Sequence, residues 1–231
     1  KGKSIANLLP LKSGESIAGI LSVKKFEAGK NVLIATERGV VKKTSLMAYS
    51  KPRQGGIIGL KVDDGDRVIA ASITDGSQDI LMVTKNGFSI RFSEEEVRQI
   101  GRTGRGVRGI RLKGGDLVAG ACVVEPGTAI LTVTDKGYGK RTKLGEYPVQ
   151  GRGGMGVITI KCNEKIGLVI GVEQVIEGDE ILVITSDGNI VRMRVNQISV
   201  IGRNTQGVRV VSLKDDNRVV CIEKLMEESE T

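Results

Sequence analysis

The chain restates itself four times at a period near 50 residues, and this repetition limits its fold more than any other feature. Each unit carries an apolar run, a polar turn ending in glycine, and a basic strand. The runs are Val32-Leu33-Ile34-Ala35, Ile80-Leu81-Met82-Val83, Ile130-Leu131-Thr132-Val133 and Ile181-Leu182-Val183-Ile184, with turn glycines at Gly39, Gly87, Gly137 and Gly188. A second glycine opens a later strand at Gly56, Gly106, Gly156 and Gly207, spaced 50, 50 and 51 residues apart. A period this steady implies stacked or radially arranged units.

Within a unit the runs are short and β-branched, as buried strands are. Asn86-Gly87 and Asp187-Gly188 read as hairpin turns in which both residues take positive φ. A polar connector follows the basic strand, and Ser93–Val97 and Arg194–Ile198 are expected to form a helical turn. A glycine-rich loop then enters a last strand at Leu60–Val62, Gly109–Leu112, Thr159–Lys161 and Val210–Leu213. The unit closes on a polar turn at Asp63–Asp66, Gly114–Asp116, Asn163–Lys165 and Asp215–Asn217. Four strands per unit is the arithmetic of a propeller blade, so the fold class is all-β.

The units run over about 14–65, 66–115, 116–166 and 167–217, within one domain covering 1–225. Residues 1–13 resemble the tail of a unit whose front lies upstream, and 218–225 the front of another. The absent initiating methionine favours a longer parent chain over joining of these two halves. Residues 226–231 form an acidic tail expected to be disordered.

Catalysis has little to work with. There is no histidine, hence no ready base near neutral pH, and no nucleophile elbow. Cys122, Cys162 and Cys221 are isolated in strand patterns and read as small buried residues. The carboxylates at 63–66 and 215–216 recur at the turn phase and read as solvated, so no metal is expected. Gly151-Arg152-Gly153-Gly154-Met155-Gly156 spells G-x-G-x-x-G but leads into a strand, whereas a dinucleotide loop opens a helix. No apolar stretch approaches the roughly 20 residues of a membrane span. No secretory signal opens the chain, which reads as soluble and cytoplasmic.

Charge is the remaining clue. Thirty-five Lys and Arg against 27 Asp and Glu give +8, and Glu223, Glu227, Glu228 and Glu230 crowd the C-terminus, leaving a more basic body. Polyanionic partners follow, nucleic acid first. With aromatics at 3% and no Trp, base stacking is not the mode of binding. The candidate residues recur by phase. Lys42, Lys43, Arg91, Lys140, Arg141, Arg192 and Arg194 lie on the strands after the turns; Arg53, Arg102, Arg105, Arg108, Arg152, Arg203 and Arg209 lie in or beside the glycine loops. Glycines let the backbone approach phosphate and arginine forks grip it. One such loop per blade makes a ring of clamps that would hold and bend a duplex without reading its bases.

Several stretches resemble the C-terminal domains of bacterial DNA gyrase A subunits: Ile5–Leu11, Gly104–Leu112, Asn86-Gly87, Gly137–Thr142 with Glu146-Tyr147-Pro148, and Ile201–Val208, in the order the family has them. The resemblance implies a β-pinwheel, a propeller-like disc whose blades exchange strands and whose basic rim wraps duplex DNA for negative supercoiling. It implies a domain that is not an enzyme by itself and holds no cofactor. ATP and Mg would be bound elsewhere in an A2B2 assembly, formed with the rest of the gyrase A subunit, and with the gyrase B subunit. The isolated domain is expected to be monomeric, and the whole enzyme nucleoid-associated. The family's box Q-R-R-G-G-[K/R]-G is not matched; Gln150–Gly156 lacks its second and last basic residues and belongs to a later blade. The related subunit of topoisomerase IV is the alternative, and a propeller scaffold for protein contacts is an alternative of another class. A scaffold would show apolar or mixed-charge rim patches in place of a repeated basic phase.

Overall fold

A computed structural model describes residues 11, 14–53, 56–214 and 216–225. The expectations for 1–10 and for the tail at 226–231 lie outside the described residues. Each repeat folds into one antiparallel sheet around a two-stranded hairpin. The hairpins are β1 (Asn31–Thr36) with β2 (Val40–Ser45), β4 (Asp79–Thr84) with β5 (Phe88–Ser93), β8 (Ala129–Thr134) with β9 (Tyr138–Lys143), and β12 (Glu180–Thr185) with β13 (Ile190–Arg194).

The turns are one residue longer than a central Asn-Gly pair implies. Gly39, Gly87, Gly137 and Gly188 each donate back to the carbonyl of Thr36, Thr84, Thr134 and Thr185 at 2.9–3.0 Å. The glycine therefore follows the turn, and the demand for positive φ falls on it: φ is 83° at Gly87. This is the three-residue loop in which a left-handed residue closes the hairpin. The acidic turns also have a structural task. Asp66 Oδ1 accepts from the Arg38 and Arg67 amides at 2.9 and 2.8 Å, and Asp116 Oδ1 from Asn86 and Leu117 at 3.1 and 2.8 Å. These carboxylates satisfy amides that the hairpin turns leave open.

The first three hairpins each gain two further strands and the fourth gains one. One follows the acidic turn: β3 (Val68–Thr74) pairs with β1, β7 (Val118–Val124) with β4, β11 (Val169–Val175) with β8, and β15 (Val219–Lys224) with β12. Sheets therefore close one strand later than the acidic turns at which the units were divided. Residues 218–225 complete the fourth sheet rather than begin another. The other strand is a two-residue piece from the next unit: β6 (Val107–Arg108) pairs with β2, β10 (Val157–Ile158) with β5, and β14 (Val208–Arg209) with β9. The last strands expected at 109–112, 159–161 and 210–213 are instead hooked to the preceding hairpin: Gly109, Thr159 and Val210 donate to the carbonyls of Gly39, Gly87 and Gly137 at 2.8–2.9 Å. The outcome is a ring of four blades with strand exchange.

The strands β3, β7, β11 and β15 line a central hollow of about 690 Å³. Side chains there are small where blades meet closely: a Cβ on Gly171 would lie 2.3 Å from Ile222 Cγ1. The cores lie between successive sheets. Leu33, Ala35 and Val41 meet Ile80, Met82 and Phe92; Leu81 and Val83 meet Ile130, Tyr147 and Val169; Leu131 and Val133 meet Ile181, Val183 and Ile222. A strand sandwiched on both faces has no polar side to show, which explains runs without alternation.

Candidate nucleic-acid interface

On β2 and β9 the basic phase after the turn points inward. Lys42 and Lys140 are buried to 1% and 0% exposure. Lys42 Nζ donates to the carbonyls of Gly59, at 2.7 Å, and Arg102. Lys140 Nζ donates to Gly202 O at 2.6 Å, Arg203 O, and Thr205 Oγ1 at 3.0 Å. Burial presses both ammonium groups below the usual lysine value, Lys140 to about 8, and the carbonyl cages keep the charge tolerable.

On β2, β5 and β9 the next residue is a staple to the following blade. Lys43 Nζ donates to Glu94 O at 2.7 Å, with the Glu94 carboxylate at 3.7 Å. Arg91 pairs with Asp79 at 2.8 Å and reaches Leu144 O and Tyr147 O at 3.3 and 3.2 Å. Arg141 Nε donates to Ile198 O at 2.7 Å. These carbonyl acceptors lie on or just after the short 3₁₀ turns at Glu94–Glu96, Leu144–Glu146 and Val195–Gln197, of which the sequence places the first and the last. Lys42, Lys43, Lys140 and Arg141 are thus removed from any outer surface, and Arg91 is largely engaged. They repeat because blade junctions repeat. Arg192 and Arg194 are exposed and turn to Glu180 within their own hairpin.

The loop arginines divide in two. Arg102, Arg152 and Arg203 are half-buried, and each donates through Nη1 to a carbonyl in the preceding unit: Ile58 at 3.1 Å, Arg108, and Ile158 at 2.8 Å. Arg203 also lies 6.0 Å over the Tyr147 ring. Arg152 and Arg203 thereby hold the exchange strands β6 and β10, and Arg102 holds the equivalent loop segment at Ile58. Arg53, Arg105, Arg108 and Arg209 are exposed. Arg105 stands 3.5 Å from Asp63, and Arg209 caps the Tyr138 ring at 5.5 Å with an Nη2 bond of 3.1 Å to its hydroxyl.

A further basic phase was readable and was missed. Lys61, Arg111 and Lys161 occupy one position per repeat, each exposed and each preceded by buried Leu60, Ile110 or Ile160. Their amides donate to Gly104, Gly154 and Thr205 carbonyls of the next loop at 3.3, 2.8 and 2.8 Å. The signal was the triplet apolar-basic-apolar, as in Ile110-Arg111-Leu112. With Arg105, Arg108 and Arg209 these residues form an exposed basic edge around the exchange strands, which end the first three sheets opposite the central hollow. The edge is suited to gripping phosphates at intervals fixed by the blades.

Residues 30–75, 78–125, 128–176 and 179–221 each match the family model for the DNA gyrase C-terminal domain, beta-propeller. The chain belongs to this gyrase C-terminal domain family. Each matched segment spans one hairpin with all or most of its inner strand, while the exchange strands of the first three sheets fall in the next segment. Among relatives, the DNA gyrase A subunit of Salmonella typhimurium is 46% identical over 227 residues, 98% of this chain and 26% of that protein. That of Buchnera aphidicola subsp. Acyrthosiphon pisum is 53% identical over 98% of this chain and 27% of its own length. The chain thus spans about a quarter of the curated relatives it matches. Among solved structures, a C-terminal domain of DNA topoisomerase IV superposes with TM-score 0.89 over 97% of this chain and 70% of that one, at 28% identity. A DNA gyrase A C-terminal domain gives 0.88 over 98% and 76%, also at 28%. Among the described residues no helix is long and apolar enough to cross a membrane, and no three metal-ligating side chains converge.

Proposed function

We propose that this domain binds duplex DNA without sequence preference along the exchange-strand edge and bends it around the blades. In that role it serves as the wrapping arm of a gyrase. The observation that carries the reading is the separation of its cations: interior ones are spent on carbonyls, while Lys61, Arg111, Lys161, Arg108 and Arg209 recur on one exposed edge. The remainder of the gyrase A subunit, the gyrase B subunit, ATP and Mg belong to the larger enzyme in this reading, as does ATP-driven negative supercoiling. The close superposition on a topoisomerase IV domain keeps that enzyme as a second reading, with the same DNA-binding edge.

Binding of duplexes of increasing length, followed by anisotropy across a salt series, tests the proposal. Neutralising six to eight phosphates gives a slope of log K on log salt of about −5 to −7. Arg105→Ala with Arg108→Ala lowers the slope and shortens the bend read by energy transfer between duplex ends. Salt-independent affinity, or an end-to-end distance that never falls, would overturn it.

A further inference from the structure

The three exchange junctions differ at the positions facing outward. Around β6 stand Val40, Arg105 and Arg108; around β14 stand Tyr138, Gln206 and Arg209. Around β10 the same positions hold Phe88, Met155 and Ile158. The middle junction is thus apolar where its neighbours carry arginine. Phe88 and Met155 are 38% and 46% exposed, and they line a hollow of about 140 Å³ together with Arg111, Lys113, Asn86 and Asp116. Asp116 is committed to the Asn86 and Leu117 amides at 3.1 and 2.8 Å. Among the described residues the side chains of Arg111 and Lys113 have no hydrogen-bond or ion-pair partner. Two free cations therefore stand beside an apolar wall that water covers at a cost.

We propose that this hollow seats one nucleotide unit of bound duplex, its phosphate on Arg111 and Lys113 and its deoxyribose ring on Phe88 and Met155. The proposal rests on the DNA-binding reading and adds a contact of another kind to it. The volume has room for about five water-sized groups at roughly 30 Å³ each, which suits a sugar ring and is far too small for a protein segment. In an intact duplex the bases stay in the stack, and a rim that reads no sequence meets only sugar and phosphate. A sugar against Phe88 and Met155 gains by leaving water, and that gain releases no counterions. The middle junction should keep its hold at salt concentrations that loosen the arginine junctions.

The experiment compares Phe88→Ser with Met155→Ser against Arg111→Ala with Lys113→Ala, on a duplex long enough to cross all three junctions, over a salt series. The apolar double variant is expected to weaken binding by roughly five- to twentyfold at every salt concentration with the slope unchanged. The basic double variant lowers the slope by up to about 2. Phe88→Leu restores affinity, and circular dichroism remains that of the parent for all variants. Affinity of the apolar variant equal to the parent, or a loss that disappears at high salt, overturns the seat while leaving DNA binding intact. Failure of the parent itself to bind duplex at low salt overturns the DNA-binding reading.

Discussion

The third and fourth sheets carry nearly the same letters and meet different surroundings. In β8, Ile130, Leu131, Thr132 and Val133 are all fully buried, because sheets pack on both faces. In β12, Ile181 and Val183 are buried while Leu182 and Ile184 are half-exposed. Beside them, β9 buries Gly139 to Thr142, whereas Ile190 of β13 is 62% exposed. Lys140 and Arg141 are interior staples; Val191 and Arg192 at the same two positions face outward. Burial belongs to the junction between blades, and an apolar run only permits it.

The sharpest way to break this comparison is at Lys140. Lys140→Ala removes three hydrogen bonds from a buried junction and leaves their acceptors unpaired, a loss of about 3–5 kcal/mol, whereas exposed Val191→Ala costs under about 1 kcal/mol. Urea unfolding measures both, and equal losses would refute the contrast. Arg141→Ala against Arg192→Ala comes next. The first strips the staple to Ile198 O and should cost about 2–3 kcal/mol, and the second breaks an exposed pair with Glu180 worth at most about 1 kcal/mol. Weakened DNA binding by Arg141→Ala at unchanged stability would return that residue to the rim.

A smaller contrast separates two glycines of equal φ, 83° at Gly87 and 82° at Gly188. A Cβ on Gly87 would meet Ile160 O at 2.2 Å, but on Gly188 nothing within 4 Å. Gly188→Ala should cost about 1 kcal/mol from backbone conformation alone, and Gly87→Ala at least about 1 kcal/mol more. Matching thermal midpoints would mean the Ile160 strand yields freely.

The smallest effect lies on the seam between these two sheets. Burial, then the Glu223 carboxylate, raises Glu173 to about 7, against the pull of Lys224. Its protonated form is the one the folded state favours. Its contribution to stability is therefore fully present below about pH 4.5 and is lost as pH rises to about 7. Since Glu173 keeps partial exposure, the decline should be on the order of 1–2 kcal/mol. Glu173→Gln should flatten it in denaturation curves taken from pH 4.5 to 8. A decline of the same size in the variant would assign it to other groups.

Much of this molecule was legible in its sequence, because period and glycine spacing come from backbone geometry repeated at every blade. The hairpins, the short helical turns and the all-β class follow from residues such as Val83, Gly87 and Glu94. Strand exchange did not follow from them: Val107-Arg108 is too short to register as a strand, and its partner Val40-Val41 lies in another unit. The basic phase misled for a physical reason. Lysine on a strand reads as solvated, but Lys42 and Lys140 meet a loop that turns several carbonyls toward one point. Arg108 and Arg209 are exposed, whereas Lys61, Arg111 and Lys161, exposed as well, read as ordinary strand residues.

Strand exchange also bears on how the chain is made. The outer edge of the first sheet is completed by Arg108 pairing with Val40, so β2 waits for a partner lying more than a full repeat downstream. A ribosome releasing the chain in order would always expose one unfinished sheet, with its open edge at the newest end. Folding should thus trail synthesis by one blade, and such unpaired edges are where nascent chains are prone to stick to one another.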